Sequence, residues 1–514
     1  MSLAVLNSRS LTGVNAVLVR VEVHLCNGLP SFTIVGLADA EVRESRERVR
    51  AAIHSSGFNF PSGRLTVNLA PADLPKESGR FDLPIALGVL LVSGQIDMPA
   101  LRPNSGPKGA ETLHPPVLQN LVFAGELSLS GALIAIRGAV IIGLGVDQHQ
   151  TLVLPKQCAH QAAMVPGLKV LEARSLSEVV DFLSERTNLK QAECAQLMMS
   201  PPDDLCLSDV RGQKAGRRAL EVAAAGGHSL MFSGPPGVGK SMLARRLPGI
   251  LPDLTEQEAL EVAAIASYCG QVQQKISRPF RSPHHRTSVA AVVGGGVRPQ
   301  PGEITLAHHG VLFLDEVAEF DRLVLEGLRE PLETFQVSLA WARYKLSFPA
   351  DFQLIAAMNP CPCGFYGRVD KACRCNAEQV RRYQAKLSGP LLDRIDMVLA
   401  LNLPEQLPGV VLPTTNEASD VVRERVCRAR SRAMNRQRCS NARIKSRDLQ
   451  RVLAFAEKAQ DTLAKLIRHH QLSARAIDRL CRVSRTCADL GEEDLVGTVH
   501  LAEAFRYRVQ ALRN

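Results

Sequence analysis

The segment Gly234-Pro235-Pro236-Gly237-Val238-Gly239-Lys240-Ser241 follows a short apolar run at 230–232 and precedes a helical pattern at 242–247. Strand, glycine-bearing loop and helix in that order suit a triphosphate. The glycines let backbone NH groups wrap phosphate oxygens, Lys240 meets the β- and γ-phosphates, and the Ser241 hydroxyl offers a ligand to Mg²⁺. A second segment supplies the opposite charge. Val311-Leu312-Phe313-Leu314 is apolar throughout, as a strand buried on both faces should be, and it ends in Asp315-Glu316. Asp315 is suited to ordering the metal and Glu316 to polarising an attacking water; an acidic cap on a following helix would explain one of them but hardly both. A third strand, 352–358, ends at Asn359, whose amide can bond the γ-phosphate or the lytic water without adding charge, or can simply form a turn before Pro360. Arg394, in Leu391-Leu392-Asp393-Arg394-Ile395-Asp396, can reach a neighbouring subunit's γ-phosphate, against a local ion pair with Asp393 or Asp396. Together these residues imply ATP and Mg²⁺, with hydrolytic phosphoryl transfer as the chemistry.

Of 13 cysteines, four form a tight cluster, Cys361, Cys363, Cys373 and Cys375. Four thiolates suit a tetrahedral structural Zn²⁺ that could order a loop too small for its own core, although the C-x-C spacing is shorter than usual and leaves a redox-active thiol cluster open. The pairs His284-His285 and His308-His309 read as polar loop contacts rather than metal ligands, because adjacent side chains on a strand point apart. Residues 335–348 alternate apolar and polar on both sides of Ala342-Arg343-Tyr344, the pattern of a β-hairpin. A second basic stretch, 423–447, includes Arg425, Arg428, Arg430, Arg432, Arg436, Arg438 and Arg443; it could line a nucleic-acid path or form a lid helix facing solvent.

A chain of 514 residues exceeds what one core usually organises. Residues 1–190 mix β-rich runs with a polar helix at 40–54, capped by Asp39 and showing Arg43, Glu44, Glu47 and Arg48 to solvent. Pro201, Pro202, Asp203 and Asp204 mark a linker, 191–208. Residues 209–402 alternate helices with short buried strands, as a parallel α/β sheet does, and carry the four-cysteine insert at 360–376. Three prolines in 404–415 precede a helical region, 403–514, expected to form a lid. The apolar stretches 83–92 and 138–146 are too short to span a membrane and read as core, and no secretory leader is evident, so a cytoplasmic protein is expected. A net charge of +10 weakly favours a polyanionic partner.

Three combinations carry a family likeness: Pro30-Ser31-Phe32-Thr33-Ile34-Val35-Gly36-Leu37; Ser282-Pro283-His284-His285-Arg286 through Gly294-Gly295-Gly296 to Pro301-Gly302-Glu303; and Asn359-Pro360-Cys361-Pro362-Cys363-Gly364. By these the chain resembles, from end to end, the ComM/YifB family of magnesium-chelatase-like AAA+ proteins. The resemblance implies an N-terminal Lon-protease-like α+β domain, an AAA+ parallel α/β P-loop core and a C-terminal helical lid. Gly125-Glu126-Leu127-Ser128-Leu129-Ser130-Gly131 is similar to a stretch of the Lon fold. Where the protease nucleophile would align stand Arg80 and Phe81, which carry no hydroxyl, and a dyad of Lys76 with Ser78 is improbable, so the domain is expected to be non-proteolytic. Asn359 then corresponds to sensor 1, Arg394 to the trans-acting arginine finger and Arg475, in Leu472-Ser473-Ala474-Arg475, to sensor 2. The same resemblance implies a hexameric motor on single-stranded and branched DNA, driving branch migration in natural transformation alongside recombination proteins. The hairpin would project into the ring, with Arg343 and Lys345 on phosphates and Trp341 either stacking on bases or packed in the core. A chelatase-like or chaperone-type remodeller and an ATP-dependent protease are the competing functions.

Overall fold

The computed structural model describes residues 2–36, 40–74, 76, 79–98, 112–113, 116–193, 198–199, 205–271, 275–296, 299–341, 344–368, 371–402 and 416–508. Pro201, Pro202, Asp203 and Asp204 of the expected linker, the proline-rich 404–415, Asp39, Ser78 and Arg343 lie outside the described residues, as do the side chains of Arg43, Trp341 and Lys345. The chain divides into two compact units, one made of 1–198 with 256–276 and the other of 199–255 with 277–514. The helix Glu256–Tyr268, which interrupts the P-loop region in sequence, thus groups with the N-terminal unit. Its packing partner there is Ala139–Leu144, the centre of the apolar run at 138–146.

The first unit is built on a mixed sheet. Ser2–Thr12 and Asn15–Cys26 form an antiparallel hairpin from Ser2 opposite Leu25 to Thr12 opposite Asn15, turned by two residues of which Gly13 takes a positive φ of 62°. Arg64–Ala70 continues the sheet antiparallel on one side and Ser31–Val35 closes that edge in parallel. On the other side Leu121–Phe123, Thr151–Pro155 and Lys169–Ala173 run parallel to one another. The helix Asp82–Val92 is buried along its whole length, which is why its sequence shows no polar face. That burial includes Asp82, held by Arg48 Nε at 2.8 Å from Oδ2 and by the Leu127 NH at 3.3 Å. Burial outweighs these partners and lifts the Asp82 carboxyl above its ordinary range. On the helix Ala40–Ser55, Glu44 and Glu47 are exposed as expected, but Arg48 departs from the expected solvated face because it turns inward to this carboxylate. Arg80 and Phe81, at the expected nucleophile position, are both buried.

The second unit carries five parallel strands, β1 (Leu230–Ser233), β2 (Phe280–Arg281), β3 (Val311–Leu314), β4 (Gln353–Met358) and β5 (Met397–Ala400), in the order β2-β3-β4-β1-β5. β1 and β3 are buried at every residue, matching their unbroken apolar runs. The C-terminal helices, among them Ser419–Gln437 and Ala474–Leu490, share one apolar core with the sheet through Val422, Val426, Leu480 and Val483 against Leu220 and Leu243. The expected hairpin is present as Gln336–Trp341 paired with Tyr344–Pro349, with Val337, Leu339, Leu346 and Phe348 buried.

The arginine-rich helix corrects one expectation. Arg425 bonds Glu221 at 2.6 Å and Glu417 at 2.9 Å, Arg428 bonds Glu492 at 3.1 Å, Arg432 bonds Asp494 at 2.5 Å, and Arg436 grips Asp489 through two bonds of 2.8 Å. Acids from other segments pair with these four arginines, which are therefore not a free basic track. Among the described residues no helix is long and apolar enough to cross a membrane.

Replacing Arg48 by Ala leaves Asp82 buried and unpaired. The expected cost is about 3 kcal/mol, the low end for breaking a buried pair because Arg48 keeps some solvent contact. Urea unfolding followed by circular dichroism should show the earlier transition, and Arg48→Ala/Asp82→Asn should recover part of the loss.

Candidate functional site

Three adjacent strands, β3, β4 and β1, deliver their C-terminal ends to one place, where parallel α/β sheets bind ligands. After β1 the chain turns through Gly234, Pro235, Pro236, Gly237, Val238 and Gly239 into the helix Lys240–Arg245. Gly237 and Gly239 have φ of 82° and 93°, a region in which L side chains are strained, so the loop's path depends on both. At Gly234 the constraint is space: a Cβ would stand 2.4 Å from the Leu401 carbonyl oxygen.

Two sets of hydrogen bonds, one on Lys240 and one on Ser241, tie the loop to the strand ends. Lys240 Nζ donates to the carbonyls of Gly234 at 2.6 Å and Pro235 at 3.0 Å, and to Asn359 Oδ1 at 3.0 Å. Burial lowers the Lys240 pKa, while Asp315 and Glu316 act to raise it. Next to it Ser241 Oγ donates to Asp315 Oδ2 at 2.6 Å, and the Glu316 NH bonds Asp315 Oδ1 at 3.0 Å. A hydroxyl and a carboxylate at this separation are a fitting donor pair for one hard cation. Glu316 itself sits at a left-handed φ of 50°, leaving its carboxylate half-exposed beside His285, with Nδ1 3.5 Å from Oε2. His285, expected to make a polar loop contact, makes it with Glu316; no local spacing announces a partner 31 positions away.

Arg394 and Arg475 lie elsewhere in the same unit. They line one cavity of about 250 Å³ with Glu333, Asp393, Arg479 and Arg482. The ion-pair alternatives for Arg394 are corrected. Its Nη2 pairs with Glu333 Oε1 at 2.5 Å, while Asp393 pairs with Arg479 at 3.2 Å and Asp396 with the buried His228 at 3.4 Å. Arg475 is exposed. Ser229 fixes the Arg394 backbone by donating to its carbonyl at 2.9 Å.

Cys361, Cys363, Cys373 and Cys375 converge, with ligand atoms within 4.8 Å of one another. Cys361 Sγ stands 3.4 Å from Cys363 and 3.7 Å from Cys373, and the last two are 3.5 Å apart. Four sulfurs around one ion at about 2.3 Å would stand about 3.8 Å apart, so the cluster is compatible with Zn²⁺. NH groups of Arg374 and Phe365 pull the Cys363 thiol down to about 6. Although the Cys375 NH favours its thiolate, burial and the neighbouring sulfurs of Cys363 and Cys361 push Cys373 up to about 12. Thiols crowded this way resist joint ionisation unless a cation balances them.

The strand order, the glycine loop after β1 and the acid pair after β3 define an AAA+-type P-loop α/β fold with a helical C-terminal region. Residues 206–407 match the family model described as Magnesium chelatase, subunit ChlI; residues 21–106 match Subunit ChlI of Mg-chelatase, and 416–508 match Magnesium chelatase, subunit ChlI C-terminal. The Uncharacterized protein YifB of Salmonella typhimurium is 44% identical over 99% of this chain and 97% of its own length. Competence protein ComM of Haemophilus influenzae is 43% identical over 99% of this chain and 98% of its own. Lon protease 2 of Bacillus subtilis is 29% identical over 30% of this chain and 32% of its own. The chain belongs to the ComM/YifB family of magnesium-chelatase-like AAA+ proteins.

Elemental analysis of protein purified without a metal-binding tag should return about one zinc per chain. Cys363→Ser and Cys373→Ser should each lose it. Stoichiometric absence of metal from the wild type would leave the thiol cluster a redox site.

Proposed function

We propose that the protein is an ATPase working as a hexameric ring motor on DNA, with branch migration during donor-strand integration as its task. The observation that carries the nucleotide half of this reading is the pair of hydrogen bonds joining Lys240 to Asn359 and Ser241 to Asp315, residues 119 and 74 positions apart in sequence. On binding ATP, Lys240 exchanges the Gly234 and Pro235 carbonyls for β- and γ-phosphate oxygens, while loop NH groups hold the rest of the polyphosphate. Ser241 and Asp315 would hold Mg²⁺, which would supply positive charge to β- and γ-phosphate oxygens. Glu316 orients and polarises the attacking water, and the Asn359 amide bonds that water or the γ-phosphate.

Arg394 acts on a neighbouring subunit's triphosphate, and Arg475 serves as the lid arginine called sensor 2. Supporting this is the cavity they share, in which Arg394 bonds Glu333 and the Pro390 carbonyl rather than the P-loop. A closed ring supplies every site with such a neighbour. The hairpin of Gln336–Trp341 and Tyr344–Pro349 is the proposed DNA contact, through Trp341, Arg343 and Lys345. The relative named a competence protein, alike over nearly the whole of both chains, favours a role in natural transformation.

A chelatase-like remodeller is the second reading, favoured by the match of 206–407 to the chelatase subunit model. Proteolysis is disfavoured because Arg80 and Phe81 offer no nucleophile and are buried.

Unwinding of a forked or three-stranded DNA separates the readings. The wild type should displace the strand and be stimulated by DNA in its phosphate release, with both effects declining as salt rises. Glu316→Gln should slow hydrolysis by about 10²- to 10⁴-fold and stop displacement. Hydrolysis indifferent to DNA at every salt concentration would favour the chelatase-like function.

A further inference from the structure

An arginine that reaches across a subunit boundary is expected at an exposed tip, yet the Arg394 side chain retains only 14% of its accessible surface. What withdraws it is Glu333. One terminal nitrogen pairs with that carboxylate at 2.5 Å and the other donates to the Pro390 carbonyl at 2.7 Å, while Nε, buried, has no partner among the described residues. A guanidinium held with one donor unsatisfied is poised to exchange for a richer acceptor, and a γ-phosphate is one.

Glu333 sits in a meaningful place. It belongs to the short helix Pro331–Thr334, which ends next to Phe335, a residue with a positive φ of 59° that opens the hairpin. The hairpin root is gripped again by Arg443, whose guanidinium lies 3.6 Å from the Phe335 ring centre and pairs with Asp351 beyond the other strand. The segment that would move with DNA and the arginine that would answer ATP therefore share one ion pair.

We propose that Glu333 is a latch: it holds Arg394 in the 250 Å³ cavity and releases it to the adjoining subunit's triphosphate when the hairpin root shifts. The latch rests on the reading of Arg394 as a trans-acting residue. Glu333 is a positioning residue, touching neither nucleotide nor DNA. It competes with phosphate for one guanidinium, so weakening it favours the engaged state without altering the chemistry.

The test is ATP hydrolysis by the full chain with and without single-stranded DNA, for wild type, Glu333→Gln, Glu333→Asp, Arg394→Ala and Glu333→Gln/Arg394→Ala. The Glu333 carboxylate is 53% exposed, so its replacement should leave the melting temperature unchanged. Glu333→Gln should raise the DNA-free rate about two- to fivefold, the range a partly exposed ion pair commands, and shrink stimulation by DNA to match. Glu333→Asp, which keeps the charge, should fall between Gln and wild type. The gain should vanish in the double variant. If Arg394→Ala is slow but Glu333→Gln leaves both rate and DNA stimulation unchanged, or lowers the rate, the latch is overturned. If Arg394→Ala hydrolyses ATP normally, the trans-acting reading falls and the latch falls with it.

Discussion

A buried ammonium fixes the character of this protein. Lys240 is 9% exposed, ringed by the Gly234 and Pro235 carbonyls and the Asn359 amide oxygen, and its burial depresses its pKa. Those acceptors are neutral dipoles, and the attraction of Asp315 and Glu316 does not offset the burial. Full compensation for the desolvated charge calls for an anion, and the loop around Lys240 is built of backbone NH groups and glycines that can accept one.

The sheet exists to make that encounter possible. Because β4 lies between β1 and β3, a loop, an amide and a carboxylate pair far apart along the chain emerge side by side. β1 and β3 can run parallel and fully buried only when both their faces are covered, and the C-terminal helices contribute to that cover as part of the same core. The C-terminal helical region is thus tied to the sheet by apolar packing, reinforced by arginines paired with acids of other segments. Arg394 and Arg475 come from this shared body too, at a cavity separate from the phosphate loop.

Much of the site was legible because its parts are local. A P-loop is contiguous, an apolar run ending in two acids announces a buried strand with a charged tip, and two close pairs of cysteines in one short segment announce convergence. Alternation around Ala342-Arg343-Tyr344 foretold the hairpin for the same reason. What escaped the sequence is the pairing of side chains distant along it. Arg48 read as solvated because helical periodicity says nothing of Asp82, and the arginines of Ser419–Gln437 left a basic track open beside a solvated helix because Glu221, Asp489 and Asp494 belong to other segments. His285 beside Glu316 and Glu333 beneath Arg394 were silent likewise. The grouping of Glu256–Tyr268 with the N-terminal unit leaves no mark in composition, since an apolar helix face does not name its partner.

The claim on which the rest depends is that this chain grips a triphosphate through Lys240. Calorimetric titration with a non-hydrolysable ATP analogue and Mg²⁺ addresses it without requiring DNA, ring closure or turnover. One analogue per chain, bound by the wild type and lost on Lys240→Ala with the fold intact by circular dichroism, is the expected outcome. No detectable binding by the folded wild type, or equal binding by both proteins, would contradict it.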